Sequence, residues 1–337
     1  MLQPVPAAHS GLPLVSIVTP AYNEAESLVP LYLRLCAVFG ALDVEWEWVV
    51  IDDHSSDITF DLLENMAQRD PRIRALRFAR NSGSHLAVTC GLREAAGACA
   101  VIIAADLQDP PETLPDLIAH WRKGAQVVWA ARAARHGENI STTGFARLYY
   151  WLMRSFVGLK QMPVTGADFF LLDRCVLDSF REFQESNASI MTLILWMGFR
   201  QDSITYEKQA RVHGSSKWNL ESKLKLVVDS ITAFTYKPIR CMSYAGFVVA
   251  LVGFLYALDV VFNALAGHPV PGWTSLMVVV LVLGGFQMIM MGVLGEYLWR
   301  ALDETRRRPR YLIEAAIGQT RGRAERAMEH VLEHTKI

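Results

Sequence analysis

Between Leu14 and about Arg211, short apolar runs alternate with longer amphipathic ones. The runs LVSIVTP, EWVVIDD, RIRALRF, AVIIAAD and AQVVWAA are continuous and rich in small or branched residues, which predicts strands buried on both faces. Between them, AESLVPLYLRLCAVF, TFDLLENMAQR, HLAVTCGLREAA and PPETLPDLIAHW carry apolar residues at helical spacing. This alternation predicts an α/β domain with a mostly parallel sheet covered by helices on both sides. In such sheets ligands bind beyond the carboxyl ends of the strands. Polar residues at those ends are therefore the first candidates for chemistry.

The pattern then changes. In SSKWNLESKLKLVVDSITAFTYKPIR, apolar Leu220, Leu224, Val227, Val228 and Ile231 share one face and lysines take others, as in a helix lying in a membrane interface. A plain surface helix has the same period, but the runs that follow favour the interface. Tyr244 to Leu265 and Trp273 to Leu294 are each about 20 residues, enough to cross a hydrocarbon core. The loop AGHPVPG holds no Lys or Arg, whereas Lys237 and Arg240 precede the pair and Arg300, Arg306, Arg307, Arg308 and Arg310 follow it. That asymmetry predicts a hairpin with both ends in the cytoplasm. The alternative is two buried core helices. Asp259 and Gln287 interrupt the runs; such residues usually face other helices, which points to packing within a homo-oligomer rather than transport.

The predicted organisation is an N-terminal extension (1–13), a cytoplasmic α/β domain (14–215), amphipathic juxtamembrane helices (216–240), a transmembrane hairpin (241–298) and a cytoplasmic tail (299–337). After Tyr311 the tail reads as polar and helix-compatible, with no legible role. Such a chain would be a multi-pass protein of the inner (plasma) membrane. The first residues lack the basic and apolar regions of a signal peptide. Composition agrees: 337 residues with 52% hydrophobic content are unusually apolar for 20% charged residues, and the hairpin accounts for the excess. A net charge of −1 gives no bias towards nucleic acid. Five cysteines without CxxC or Cys/His zinc spacing read as core thiols in a reducing compartment. There is no GxxxxGK[ST], and RNSGSH lacks the dinucleotide-binding spacing.

Four polar clusters fall at predicted strand ends: TPAYNEAE, IDDHSSD, AADLQDPPE and WAARAARHGE. Singly, each fits turn and cap chemistry. Asp57 reads as a helix N-terminal acid and Asp109 as a cap ahead of two prolines. Their recurrence at one sheet edge is poorly explained by independent capping. Asp106 and Gln108, two apart in an extended segment, would share a face. A carboxylate and an amide oxygen are hard donors that suit Mg²⁺ or Mn²⁺, and two protein oxygens fit a metal that a substrate diphosphate completes.

In series, PAYNE, DDHSSD, RNSG, ADLQDPPE, ADFFLLDR, RVHGSSKW and GEYLWRALDETRRRPRY resemble the motifs of the polyprenyl-phosphate glycosyltransferases of glycosyltransferase family 2. These are membrane enzymes such as dolichyl-phosphate mannose synthase and the bactoprenol glucosyltransferases. The resemblance covers nearly all of Leu14 to Tyr311. It implies a GT-A (Rossmann-like) fold, a nucleotide-sugar donor, a divalent metal, a polyprenyl-phosphate acceptor in the lipid bilayer, and a tetramer. By position, it implies that Pro20, Tyr22, Glu24 and Asp53 hold the base and ribose, and that Asp106 and Gln108 hold the metal. Arg132, Arg211 and Lys217 would meet donor or acceptor phosphates. Two positions depart from the family pattern. Ala104 stands where an Asp usually begins the metal motif. Phe170 stands where an Arg is usual, so that acceptor binding leans on Arg174, Arg211 and Lys217.

The expected activity is inverting transfer of a hexose, glucose first, from a UDP-sugar to a polyprenyl phosphate such as undecaprenyl phosphate. Asp168 is the carboxylate available as a base, but a phosphate acceptor, with a second pKa of about 6, arrives mostly deprotonated. One rival, a processive polysaccharide synthase, is weakened by the lack of QxxRW after the catalytic half. Another is a non-catalytic nucleotide-sugar-binding partner, which Ala104 and Phe170 would favour.

Overall fold

The computed structural model describes residues 12–133, 169–183, 189–209, 237–266, 272–306 and 308–318. The chain runs β1 (Leu14–Ala21), α1 (Ala25–Phe39), β2 (Glu45–Asp52), α2 (Thr59–Arg69), β3 (Ile73–Phe78), α3 (Ser84–Glu94) and β4 (Cys99–Ile102). A short 3-10 turn (Pro111–Thr113) leads into α4 (Leu114–Arg122), β5 (Val127–Arg132), β6 (Phe169–Asp173), α5 (Arg174–Glu182), α6 (Ile190–Trp196) and β7 (Gln201–Tyr206). Two long helices, α7 (Lys237–Leu265) and α8 (Trp273–Arg306), precede a last strand, β8 (Ile313–Ile317).

The strands form one sheet in the order β7-β5-β6-β4-β1-β2-β3-β8. All but β6 and β8 run the same way. Residues alternate between faces along each strand. Val15 and Ile17 of β1, Trp48 and Val50 of β2 and Val101 of β4 meet α1, α2 and α4. Val18, Val49, Ile51 and Ile102 meet α3, α5 and α6 on the other side. In α1 the buried residues Leu28, Leu31, Leu35 and Phe39 form one stripe, and each such side chain contributes about 1.5–3 kcal/mol by leaving water. Phe170 belongs to this core: it is buried against Trp129, ring centroids 5.2 Å apart, on the α3 side of the sheet.

Three strands depart from the sequence reading. The polar, largely exposed β7 carries no apolar signal. The reversed β6 sits between β4 and β5, so it runs from the carboxyl edge back to the amino edge. The stretch read as a polar tail supplies β8, which pairs antiparallel with β3. Only the long-range partner makes that short segment a strand.

Helices α7 and α8 contain two stretches, Ile239–Asn263 and Val282–Arg306, long and apolar enough to cross a membrane, and none of their described side chains is buried inside the protein. Their bare surface argues against the alternative of buried core helices. The amphipathic stretch between Ser215 and Tyr236 lies outside the described residues. Of the cysteines, Cys90 and Cys99 are buried, Cys36 and Cys175 half-buried and Cys241 exposed, and all are free.

At the amino edge a buried polar network ties β1, β2, β3 and the α3–β4 turn. Ser16 donates to Glu47 (2.6 Å), Glu47 accepts from the Ala96 N–H (2.7 Å), and Arg74 reaches both Glu47 and Glu94 (3.3 Å each). Gly97 closes it, its N–H donating to Ser16 Oγ at 2.8 Å. A Cβ there would lie 2.6 Å from the Leu14 carbonyl, 2.7 Å from the Ser16 nitrogen and 2.8 Å from the Cys99 carbonyl. Backbone atoms of two paired strands cannot step aside cheaply. Gly97→Ala should therefore destabilise the full chain by about 1–3 kcal/mol, lowering the midpoint of thermal unfolding in detergent; an unchanged midpoint would contradict this packing.

Candidate active site

The loops after β1, β2 and β4 lie together at the carboxyl edge, because these three strands are parallel neighbours. Each loop holds one non-glycine residue with left-handed backbone: Asn23 (φ 56°), His54 (φ 60°) and Leu107 (φ 60°). They are the only such residues among those described. Conformations of this kind cost of order 1–3 kcal/mol each and persist where surrounding contacts over-determine them, as at ligand sites.

Those contacts are visible. The Asn23 N–H donates to Ser55 Oγ (2.9 Å), and Asn23 Oδ1 accepts from the Ser56 N–H (2.8 Å). The Glu24 N–H donates to Thr59 Oγ1 (3.0 Å), and the Glu24 carbonyl opens α1 by accepting from Ser27 and Leu28. The first two loops are thus sewn to each other. Asp53, nearly fully buried, accepts from the Ser82 N–H (2.6 Å) through Oδ1 and the Gly83 N–H (2.8 Å) through Oδ2. Burial pushes its carboxyl above the usual carboxylate range, against the pull of those two N–H bonds. Its carboxylate anchors the RNSG loop to β2. Its neighbour Asp52, fully buried, accepts from the Ser55 N–H (3.1 Å) through Oδ1, while Oδ2 has Arg77 Nε at 3.7 Å and no hydrogen bond. Asp57 is the local helix acid expected, accepting from the Thr59 N–H at 2.9 Å.

The third loop differs from the extended segment expected of it. β4 ends at Ile102, so Asp106 sits in a turn beyond it and not in an extended segment. With Leu107 left-handed, Asp106 and Gln108 do not share a strand face. The turn joins them otherwise: Asp106 Oδ1 accepts from the Gln108 N–H at 3.2 Å. Asp109 is not the helix cap expected, because Pro110 takes that place at the 3-10 turn. It is buried, and its Oδ1 accepts from the Tyr206 hydroxyl (2.5 Å) with Lys208 Nζ 3.6 Å away. Burial, then the Asp109 charge, raise the Tyr206 hydroxyl well above its ordinary value. Tyr206 lies opposite Arg132 across the β5–β7 ladder, and the Gln209 N–H donates to the Gln108 carbonyl (2.9 Å). The end of β7 thereby braces the Asp106–Gln108 turn beside Arg132.

Residues 16–180 match the family described as glycosyl transferase family 2. An uncharacterized glycosyltransferase, YkcC of Bacillus subtilis (strain 168), is 36% identical over 304 residues, 90% of this chain and 94% of that protein. A prophage bactoprenol glucosyl transferase homolog of Escherichia coli (strain K12) is 35% identical over 302 residues, 89% of this chain and 98% of its own length. The bactoprenol glucosyl transferase of Shigella phage SfV is likewise 35% identical over 302 residues, covering 89% of this chain and 98% of that one. The chain belongs to glycosyltransferase family 2.

The resemblance read from the motifs holds at family level, and the mostly parallel sheet between two helical layers is the GT-A type fold it implied. Among solved structures, mannosyl-3-phosphoglycerate synthase from Rubrobacter xylanophilus is similar with a TM-score of 0.48 and 14% identity, over 69% of this chain and 75% of that one. That likeness is too slight to bear on substrate or mechanism.

Of the residues chosen from sequence, Pro20, Tyr22, Glu24, Asp53, Asp106, Gln108 and Arg132 meet at the carboxyl edge. Asp168, Arg211 and Lys217 lie outside the described residues. Arg174 is not part of the site. Because β6 is reversed, Arg174 emerges at the amino edge, where Nε donates to the Gly97 carbonyl (2.9 Å) and Nη2 to the Ala95 (3.0 Å) and Gly97 carbonyls. Sequence reasoning missed Tyr206 and Lys208, which carry no motif and reach the site only through the β5–β7 pairing. Arg174→Ala should cost about 1–3 kcal/mol of stability by stripping donors from these carbonyls, yet leave the KM values for donor and acceptor unchanged. A change in acceptor KM without loss of stability would return Arg174 to the site.

Proposed function

We propose that the protein transfers a hexose, with glucose the first choice, from a UDP-sugar to a polyprenyl phosphate at the cytoplasmic face of the inner membrane. The observation that carries this reading is where the chain leaves the sheet. β7 ends at Tyr206, level with Arg132, on the carboxyl edge. β8 enters at Ile313, level with Phe78, on that same edge. Both connections to the apolar helices α7 and α8 thus depart from the edge that bears the motif loops. The seven-residue step from Arg306 to Ile313 extends at most about 25 Å. A lipid phosphate at the membrane surface would meet such an edge. Relatives named bactoprenol glucosyl transferase, which this chain matches along 89% of its length, support glucose as the sugar and undecaprenyl phosphate as the acceptor.

In the proposed reaction a phosphate oxygen of the acceptor bonds to the anomeric carbon as the bond from that carbon to the nucleoside diphosphate breaks. The configuration inverts and UDP leaves with the electron pair. The acceptor's second pKa of about 6 means that it arrives mostly as the dianion. A proton-removing base is then unnecessary, and Asp168, the carboxylate available as one, should matter less to turnover than Arg211. The larger barrier is repulsion between the dianion and the diphosphate. Arg132, at the end of β5, is assigned the task of screening it, together with Arg211 and Lys217. Asp106 and Gln108 would hold Mg²⁺ or Mn²⁺, which when bound neutralises charge on the diphosphate. Among the described residues no group of three or more His, Cys, Asp or Glu could hold a metal. The proposed pair, one carboxylate and one amide oxygen, suits a hard cation such as Mg²⁺, which takes one or two carboxylates and leaves its other positions to water and substrate phosphate. Asp259 and Gln287, exposed on α7 and α8, support assembly with further copies in the bilayer as a homo-oligomer, for which the family resemblance suggests a tetramer.

The test is incubation of membranes containing the full chain with a panel of nucleotide sugars, followed by mass analysis of the lipid fraction. UDP-glucose should yield a polyprenyl monophosphate hexose. Asp106→Asn should lose Mn²⁺-stimulated product while its thermal midpoint holds. UDP release without a lipid product, or growth of a polysaccharide chain, would overturn the reading, and full turnover in excess chelator would remove the metal from it.

A further inference from the structure

The C-terminal strand does more than widen the sheet. Along the β3–β8 ladder, Ala315 faces Arg77 and Ile313 faces Phe78, which leaves Glu314 as an extra residue with no opposite number. A bulge of this kind bends the strand and re-aims a side chain, and bulges are over-represented beside active sites. Here Glu314 Oε2 lies 3.3 Å from Arg77 Nε and 3.5 Å from His54 Nδ1.

Both partners govern the loop after β2. His54 is the left-handed residue of that loop, and its Nδ1 is also 3.0 Å from the Phe78 carbonyl. Arg77 donates to the Ser55 carbonyl (3.1 Å) and approaches the buried Asp52 (3.7 Å). Ser55 in turn receives the Asn23 N–H from the neighbouring loop. One carboxylate from the far end of the chain therefore sits behind the contacts that hold two of the three strained loops. The strand that carries it is fixed in place: the Ala79 N–H donates to the Leu312 carbonyl (2.9 Å), and Tyr311 stacks on Phe78 with centroids 4.9 Å apart and planes 16° apart. It begins seven residues after α8 ends.

We infer that Glu314 is a positioning residue for the donor pocket: it holds the loop Asp53–Ile58 in the shape that receives the nucleotide, and it makes that shape depend on how the chain returns from α8. The inference rests on the reading that this loop receives a nucleoside diphosphate sugar. The carboxylate on the bulge pairs with the Arg77 guanidinium and lies beside the His54 ring at once, and an alanine leaves both side chains without that partner. Partly exposed ion pairs are individually weak, so the effect is on loop order and donor affinity and not on global folding.

The experiment compares the full chain in nanodiscs with Glu314→Ala and Glu314→Gln. Hydrogen exchange is followed in peptides spanning residues 52–59, and kinetics are measured with UDP-glucose and undecaprenyl phosphate. Glu314→Ala should speed exchange in residues 52–59 and raise the donor KM about two- to fivefold. The acceptor KM, kcat, the thermal midpoint and exchange in β1 and β2 should stay at wild-type values. Glu314→Gln, which keeps an oxygen acceptor, should fall between wild type and alanine. Unchanged exchange at residues 52–59 overturns the inference, as does an equal rise across the whole sheet or a shift in acceptor KM in place of donor KM. If the wild type shows no affinity for UDP-glucose, the donor reading fails by itself, and the exchange at residues 52–59 still decides whether Glu314 orders the loop.

Discussion

The common direction of β1, β2, β4, β5 and β7 is the constraint on which the rest of this protein depends. Parallel strands place all their following loops on one edge, so residues far apart in sequence converge there without any contact between the motifs themselves. The two reversed strands serve the same end. β6 returns the chain to the amino edge and delivers Arg174 there as a clamp on the α3–β4 turn. β8 enters at the carboxyl edge and brings the chain from α8 directly beside the loop after β2. Sheet direction thus fixes the placement of the polar loops and the attachment of the apolar helices together.

The two edges divide the work of the domain. At the amino edge, Ser16, Glu47, Arg74 and Gly97 form a buried network whose members find partners in one another. A satisfied network of this kind rigidifies a core, whereas a half-satisfied one would destabilise it. At the carboxyl edge the balance is reversed. Asn23, His54 and Leu107 hold unfavourable backbone, Asp53 is buried with a raised pKa, and one oxygen of Asp52 has no hydrogen bond. Strain and imperfect pairing are tolerated there because the opposite edge and the two apolar layers hold the sheet.

Local pattern made much of this legible. The apolar spacing from Ala25 to Phe39 and from Thr59 to Arg69 marks the helices at their ends, and the strand ends bring Asp53, Asp106 and Arg132 to one edge of the sheet, as their runs imply. What failed was long-range. Asp106 and Gln108 were paired through an extended backbone, whereas a turn with Leu107 left-handed joins them. Arg174, which the family resemblance sets at the acceptor phosphate, emerges at the opposite edge, because the reversal of β6 shows only once β4 and β5 are both paired to it. Phe170, read as a gap in acceptor binding, is a core residue against Trp129. Tyr206 and Glu314 were missed for one reason: a polar residue on a short edge strand shows its function only through its partner on another strand.

In the proposed reaction the carboxyl edge of the sheet faces the bilayer. The most direct measurement is energy transfer from a site-specific fluorophore to an acceptor dye on lipid headgroups, with the full chain in nanodiscs. Exposed Ser56 marks the carboxyl edge, and exposed Asp43, just ahead of β2, marks the amino edge. The account predicts stronger transfer from position 56 than from position 43. Equal transfer, or stronger transfer from position 43, would contradict it.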